Sequence, residues 1–173
     1  MLPDDLKDSP AAAALEAWDS SAITGGSREL GETLLWVAPG KIVEVCRKLR
    51  DEFDFVRLSG ISVIDRFPAE PRFEVFYLLH SISRNERLKL KVALEGKDPQ
   101  VESVCGVWAG ANWYEREAYD LFGVRFLNHP DLRRIMMPDY WEGHPLRRDF
   151  PGLRVVFEHI TTRQAAQYVA QAG

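Results

Sequence analysis

The sequence predicts an α+β fold: a two-layer sandwich of a mixed or antiparallel sheet of about four strands, with helices on one face, followed by an extended irregular C-terminal arm. Three observations predict it. An apolar stripe recurs at helical spacing between residues 42 and 53. Three strand-like runs follow with no helical pattern between them. From residue 124 regular periodicity stops, while apolar and aromatic side chains continue. With 173 residues, 46% of them hydrophobic, the chain suits one core and is short for two domains.

In chain order, residues 1–30 read as an N-terminal arm or tail. Ala11–Trp18 can form a short helix after Pro10, and Gly25-Gly26-Ser27 is expected to break it. The core domain is expected over 31–123. Thr33–Val37 reads as a strand ended by Pro39-Gly40. Ile42, Val45, Cys46, Leu49 and Phe53 then form the stripe of an amphipathic helix, with Glu44 and Lys48 as an outer i,i+4 pair. Phe55–Phe67 reads as a strand with a bulge at Gly60, and Arg72–Ile82 as the next. Across a Ser83–Glu86 hairpin, Arg87–Glu95 alternates: Leu88, Leu90, Val92 and Leu94 point one way, Arg87, Lys89 and Lys91 the other.

Gly96–Glu102 is a polar break, and Ser103 is placed to cap a turn through Trp108. Asn112 with Glu115 three residues on resembles a capping box, and Gly123 ends the helix that follows. Tyr114, Ala118, Leu121 and Phe122 share one face of it. Glu115, Arg116, Glu117 and Asp120 put four charges on barely three turns. Residues 124–173 are expected to be a partner-binding arm and tail, with a strand at Arg154–Phe157 and a helix from Thr162. Up to Asp149 the arm holds Pro130, Pro138, Gly143 and Pro145, yet is too rich in Phe126, Leu132, Ile135, Met136 and Trp141 for a solvated linker.

Charge is unevenly placed. The net is −4, of which residues 1–32 carry −5, leaving +1 for the rest and no broad basic field for nucleic acid. All six lysines lie at or before Lys97, and from Arg116 onward there are eight arginines and no lysine. Arginine suits planar pairing with carboxylates away from water, so this bias points to a contact surface. No apolar run approaches the roughly 20 residues of a spanning helix. The acidic start has no signal-peptide character, so a cytoplasmic chain reaching a membrane only through partners is expected.

Chemistry-bearing patterns are sparse. Cys46 and Cys105 stand apart among valines and read as buried small side chains. No cluster-type cysteine set, GxGxxG or P-loop occurs, so no flavin, nicotinamide or iron–sulfur site is expected in this chain. Glu115, Glu117 and Asp120 lack a matched nucleophile or base and read as salt-bridge partners rather than catalysts. His129 and His144 each precede a proline among scattered acids, a poor metal-ligand arrangement. The Arg133-Arg134 and Arg147-Arg148 pairs lie beside Asp131 and Asp149, a setting for protein contact rather than phosphate.

The stretch Trp113–Val124, then Phe126, His129-Pro130, Leu132–Pro138 and Gly143–Pro151, closely resembles the signature of the C (30 kDa) subunit of proton-pumping NADH:quinone oxidoreductase, complex I. The specific match spans about residues 103–151. The resemblance implies a non-catalytic, peripheral-arm subunit on the cytoplasmic side of the cell inner membrane. It implies docking on the D (49 kDa) subunit and neighbouring iron–sulfur subunits, with FMN, iron–sulfur clusters and quinone held by those partners. Some bacteria fuse C and D; a chain ending soon after Pro151 implies a separate D partner. On this reading Glu115, Arg116, Glu117, Asp120, Phe126, His129, Arg133, Arg134, Trp141, His144, Arg147, Arg148 and Asp149 form the partner interface. An equivalent subunit of a membrane-bound hydrogenase or another quinone-linked complex is the near alternative, and a free-standing metal enzyme the distant one.

Overall fold

The apolar periodicities are realised as one sheet with helices on its inner face in a computed structural model, which describes residues 3–29 and 31–151. Helix α1 (Pro10–Trp18) begins where Ser9 Oγ accepts the Ala12 amide at 3.4 Å and Pro10 takes the first helical position. Strands β1 (Ile23–Glu29) and β2 (Glu32–Val37) pair antiparallel. Helix α2 (Ile42–Phe53) buries Ile42, Val45, Cys46 and Leu49, the predicted stripe, and Asp54 ends it in the left-handed region. Each such aliphatic side chain contributes roughly 1.5–3 kcal/mol on burial. Strands β3 (Arg57–Asp65), β4 (Phe73–Ser81) and β5 (Glu86–Leu94) form an antiparallel meander.

The sheet has five strands in the order β1-β2-β5-β4-β3, with β2 parallel to β5. Leu35, Val37, Val63, Val75, Tyr77, Leu88, Leu90 and Val92 share one buried cluster with the apolar stripe of α2. On the opposite face Lys91 Nζ lies 4.4 Å from the Trp36 ring centroid and 3.2 Å from Glu74. The bulge expected near Gly60 is present as a register shift between Leu58 and Gly60. Strand β6 (Gln100–Glu102), helix α3 (Ala111–Phe122) and β7 (Arg125–Leu127) form a second unit in which β6 and β7 pair in parallel. Three-residue strands are too short to show an alternation, so β6 reads in sequence as a polar break and β7 as irregular chain.

Several expectations are corrected. Residues 3–29 are not a tail: Leu6, Ala11, Ala12, Leu15, Ala22 and Ile23 belong to the core, and β1 is the sheet's edge. Gly25-Gly26-Ser27 lies inside that strand. Gly25 is there because a Cβ would stand 2.5 Å from the Trp36 ring. The sheet therefore has one strand more than expected. Lys48 pairs with Glu52 at 2.6 Å rather than with Glu44, which meets Lys41. The capping box is not formed: Gly110 is the N-cap of α3 with no side-chain bond. Tyr114, Ala118 and Phe122 do pack toward the core as the shared face implies, with Tyr114, Leu121 and Phe122 half-buried, while Arg116 and Asp120 are buried on the other side of α3 beneath the arm. The strand and helix expected at 154–157 and from 162 lie outside the described residues.

Candidate functional site: helix α3 and the arm folded over it

Helix α3 is an unusual short helix because three of its charged side chains, Glu115, Arg116 and Asp120, are buried. Burying a carboxylate is costly unless donors surround it, so each acid must be supplied by chain elsewhere. Glu115 is fully buried and faces the loop between β6 and α3. Its Oε1 accepts the Val104 amide at 2.7 Å, and its Oε2 accepts Ser103 Oγ at 2.6 Å and Cys105 Sγ at 3.4 Å. Among the described residues no lysine or arginine pairs with it, His129 Nε2 stands 3.8 Å from Oε2, and burial raises its pKa against those three donors.

One and a half turns on, Asp120 is also fully buried. Its Oδ1 accepts Arg134 Nη1 at 2.6 Å. Its Oδ2 gathers three successive amides, Ile135, Met136 and Met137, at 3.0, 2.7 and 2.8 Å. Burial alone would raise its pKa, but the Met137 amide, Arg134 and the other two amides outweigh burial and hold it below the usual carboxylate value. The irregular arm owes its shape here to one side chain of α3. Arg116, also buried, donates to the Arg133 and Arg134 carbonyls at 3.2 and 3.5 Å and stacks on Trp113 at 5.0 Å.

The same arm caps the helix. The last carbonyls of an α-helix lack partners within it. His144 Nδ1 donates to Asp120 O at 2.9 Å, the Leu146 amide to Leu121 O at 3.0 Å, and Arg147 Nε to Phe122 O at 2.6 Å. Gly123, at φ 75°, lets the chain turn beneath them. At the arm's end Asp149 meets Arg72, whose guanidinium also grips Asp65. Four contacts of 2.6–2.9 Å join the three side chains, and Asp65 Oδ2 further accepts the Arg148 amide at 2.8 Å. Burial would raise Asp65, but Arg72 and the amides of Arg148 and Phe67 bring it down to about 2. Phe67 and Phe73 flank the Arg72 guanidinium at 4.9 and 4.8 Å.

Most of the residues expected at an interface therefore turn inward in this chain. Phe126 lies in the core at 2% exposure. His129 is clipped between Asn112 O and the Asp131 amide. Arg147 lies over Phe73 at 5.2 Å. Trp141 stacks on Phe150 with centroids 6.3 Å apart. Glu117, Arg133, Arg148 and Asp149 remain exposed, Arg133 paired to Asp131 at 2.9 Å. Large apolar side chains that do face outward include Trp113, Met136, Tyr140 and Leu146, all more than half exposed. Arg72 and Asp65 are site residues that the sequence does not flag; Arg72 stands 77 residues before its partner Asp149, and nothing local signals the pair.

Donor atoms of Cys105, Glu115 and His129 lie within 4.8 Å of one another. They are engaged otherwise. A carbonyl only accepts, so the His129 Nε2 facing Asn112 O carries the ring proton and offers no lone pair to a metal. Burial pushes the Cys105 thiol up to about 11, away from thiolate. The cluster reads as a buried hydrogen-bonded junction of loop, helix and arm.

The family described as "Respiratory-chain NADH dehydrogenase, 30 Kd subunit" matches residues 35–155. The chain is 46% identical over 121 residues to the C subunit of NADH-quinone oxidoreductase of Geotalea uraniireducens, covering 70% of this chain and 74% of that one. It is 42% identical over 159 residues to the C/D subunit of NADH-quinone oxidoreductase of Pseudomonas fluorescens, covering 87% of this chain and 27% of the relative. Among solved structures, the trypsin-resistant fragment (1-134) of Nqo5 superposes with a TM-score of 0.54 at 27% identity, covering 70% of this chain and 98% of the fragment.

Proposed function

The chain belongs to the family of the respiratory-chain NADH dehydrogenase 30 Kd subunit, and from that premise we propose that it is a non-catalytic peripheral-arm subunit of a proton-pumping NADH:quinone oxidoreductase. Its task is to bind the D (49 kDa) subunit and help assemble the quinone-reducing module. FMN, iron–sulfur clusters and quinone belong to partner subunits, and neither nucleic acid nor a metal is part of its work. It sits peripherally on the cytoplasmic side of the inner membrane and reaches the membrane through partners. None of the described helices is long and apolar enough to cross a membrane.

One observation carries the docking role. The arm gives its amides at 135–137 to Asp120 of α3 while leaving Met136, Tyr140 and Leu146 more than half exposed, as Trp113 is on α3. Exposed apolar and aromatic side chains suit a permanent protein interface. The relative named C/D, matched over only 27% of its length, supports D as the partner. The test is co-purification from cells expressing the whole complex. Met136→Asp with Leu146→Asp is expected to lose the D subunit while the chain alone keeps its circular dichroism and unfolding midpoint. Full recovery of D with the double variant would reject this surface. Arg147→Ala is a poor probe, because Arg147 caps α3 within its own chain.

A further inference from the structure

His129 and His144 stand near the two ends of the arm, and each closes on a carbonyl of α3. His129 Nε2 faces Asn112 O in the first turn at 3.3 Å, and His144 Nδ1 faces Asp120 O in the last at 2.9 Å. The second nitrogen of His129 accepts the Asp131 amide at 3.0 Å, so it must keep its lone pair. A proton there would set two donors against each other. His144 is packed against the Tyr119 ring at 5.8 Å, and the Arg134 and Arg147 guanidiniums act on it unfavourably for a positive charge. His129 is thus held neutral by its own hydrogen bonds, and His144, whose Nδ1–H would still donate to Asp120 O when charged, by burial beside two guanidiniums.

We propose that residues 129–144 form an acid-released strap: neutral His129 and His144 fasten it to α3, and protonating them opens it while the sheet and α2 stay folded. Burial also favours the neutral form of both rings, in keeping with that geometry. The groups facing His129 are Glu115 and Arg116 from α3, Cys105 from the preceding loop and Asp131 from the arm. Those facing His144 are Asp120 from α3 with Arg134 and Arg147 from the arm. Asp120 stays ionised over the range that matters, since its donors hold its pKa down. Glu115 works the other way: its pKa is raised in the fold, so it takes up a proton with a gain in stability as pH falls and keeps the loop–helix junction shut. The opening is therefore local. It does not depend on the docking role; only its consequence, loss of the Met136 and Tyr140 surface, rests on that reading.

Hydrogen–deuterium exchange on the full chain, without partners, tests the strap directly. It is run at about pH 7.5 and about pH 5.5, on either side of the unperturbed histidine value of about 6.5, with rates corrected for intrinsic exchange. Protection of 129–144 is expected to fall between about tenfold and about hundredfold, the range for releasing one or two histidines over that interval. Protection of β4 and β5 is expected to hold. The variant His129→Gln with His144→Asn keeps an amide donor at each joint and cannot titrate, so its strap protection is expected to be the same at both pH values. No loss in the natural chain, equal loss in the double variant, or loss spread across β4 and β5 would each overturn the proposal. Proton resonances of the four histidines in the natural chain give an independent reading. An arm that opens at a pH where His129 and His144 have not begun to titrate would also overturn it, whatever the variant does.

Discussion

Arg134 donates to Asp120 at 2.6 Å with the carboxylate fully buried, and the same carboxylate collects the amides of the three residues that follow Arg134. One acid on a helix thus shapes a loop with no repeating structure. Removing one member of a buried pair leaves the other unpaired, which costs about 3–5 kcal/mol. Asp120→Ala is expected to lose that much in urea unfolding with the slope nearly unchanged. A loss below about 1 kcal/mol, the scale of an exposed ion pair, would show that the joint contributes little.

Arg72 joins the sheet to the end of the arm by gripping Asp65 and Asp149 together. Lysine offers a point charge and cannot bridge two carboxylates in a plane. Arg72→Lys is expected to destabilise by about 2–3 kcal/mol, the scale of lost charge-assisted hydrogen bonds. Asp149→Asn, at a side chain 40% exposed, is expected to cost about 1 kcal/mol or less. A double-mutant cycle in urea measures the coupling, and additive losses would mean that the two residues act independently.

Gly123 combines a positive φ with a crowded site. A Cβ there would lie 2.5 Å from both Arg147 Nη2 and His144 Cδ2, the groups that cap α3. Left-handed backbone costs a non-glycine residue roughly 1–2 kcal/mol, and displacing the caps adds about 1–3 kcal/mol. Gly123→Ala is expected to lose the sum of these in thermal or urea unfolding. A loss under about 1 kcal/mol would show that the caps move aside freely.

Stability should respond to pH in three ways. Asp65, Asp120 and Asp149 have pKa values lowered in the fold, so their contribution is complete above the usual 3.8 and is lost as pH falls from there toward their folded values, about 2 for Asp65. His129 and His144 are also lowered, so their contribution is complete above 6.5 and begins to be lost as pH drops below it. Glu115 is raised, so its contribution is complete below 4.5 and is lost as pH climbs through its folded value. Urea midpoints of the natural chain and Glu115→Gln across this range check the signs. The glutamine is expected to remove the decline on the alkaline side. An unchanged alkaline slope would exclude Glu115 as its source.

The repeating elements were legible in the sequence because their signals are local. The stripe Ile42, Val45, Cys46, Leu49 places α2 without knowledge of any neighbour, and the alternation Leu88 to Leu94 gives β5 its inner face. Gly123 marked the end of α3 because only backbone freedom is required there. The short strands β6 and β7 and the edge strand β1 were not legible: three residues cannot display a period, and Gly25-Gly26 looks like a breaker until the Trp36 ring lies over it.

The sequence by itself determined a helix-backed sheet, an irregular apolar arm and the run of charge on α3. Only the tertiary structure decided which way those charges face. A buried carboxylate is tolerated where donors converge, and its donors are remote in sequence: residues 103–105 for Glu115, 134–137 for Asp120 and the Arg148 amide for Asp65. Helical spacing put Tyr114, Ala118, Leu121 and Phe122 on one face of α3, and Tyr114, Ala118 and Phe122 do pack against the core. The hydrogen-bonding needs of Glu115 and Asp120, met by segments that no local pattern could supply, decided that these acids are buried as well, Asp120 beneath the arm rather than against the sheet.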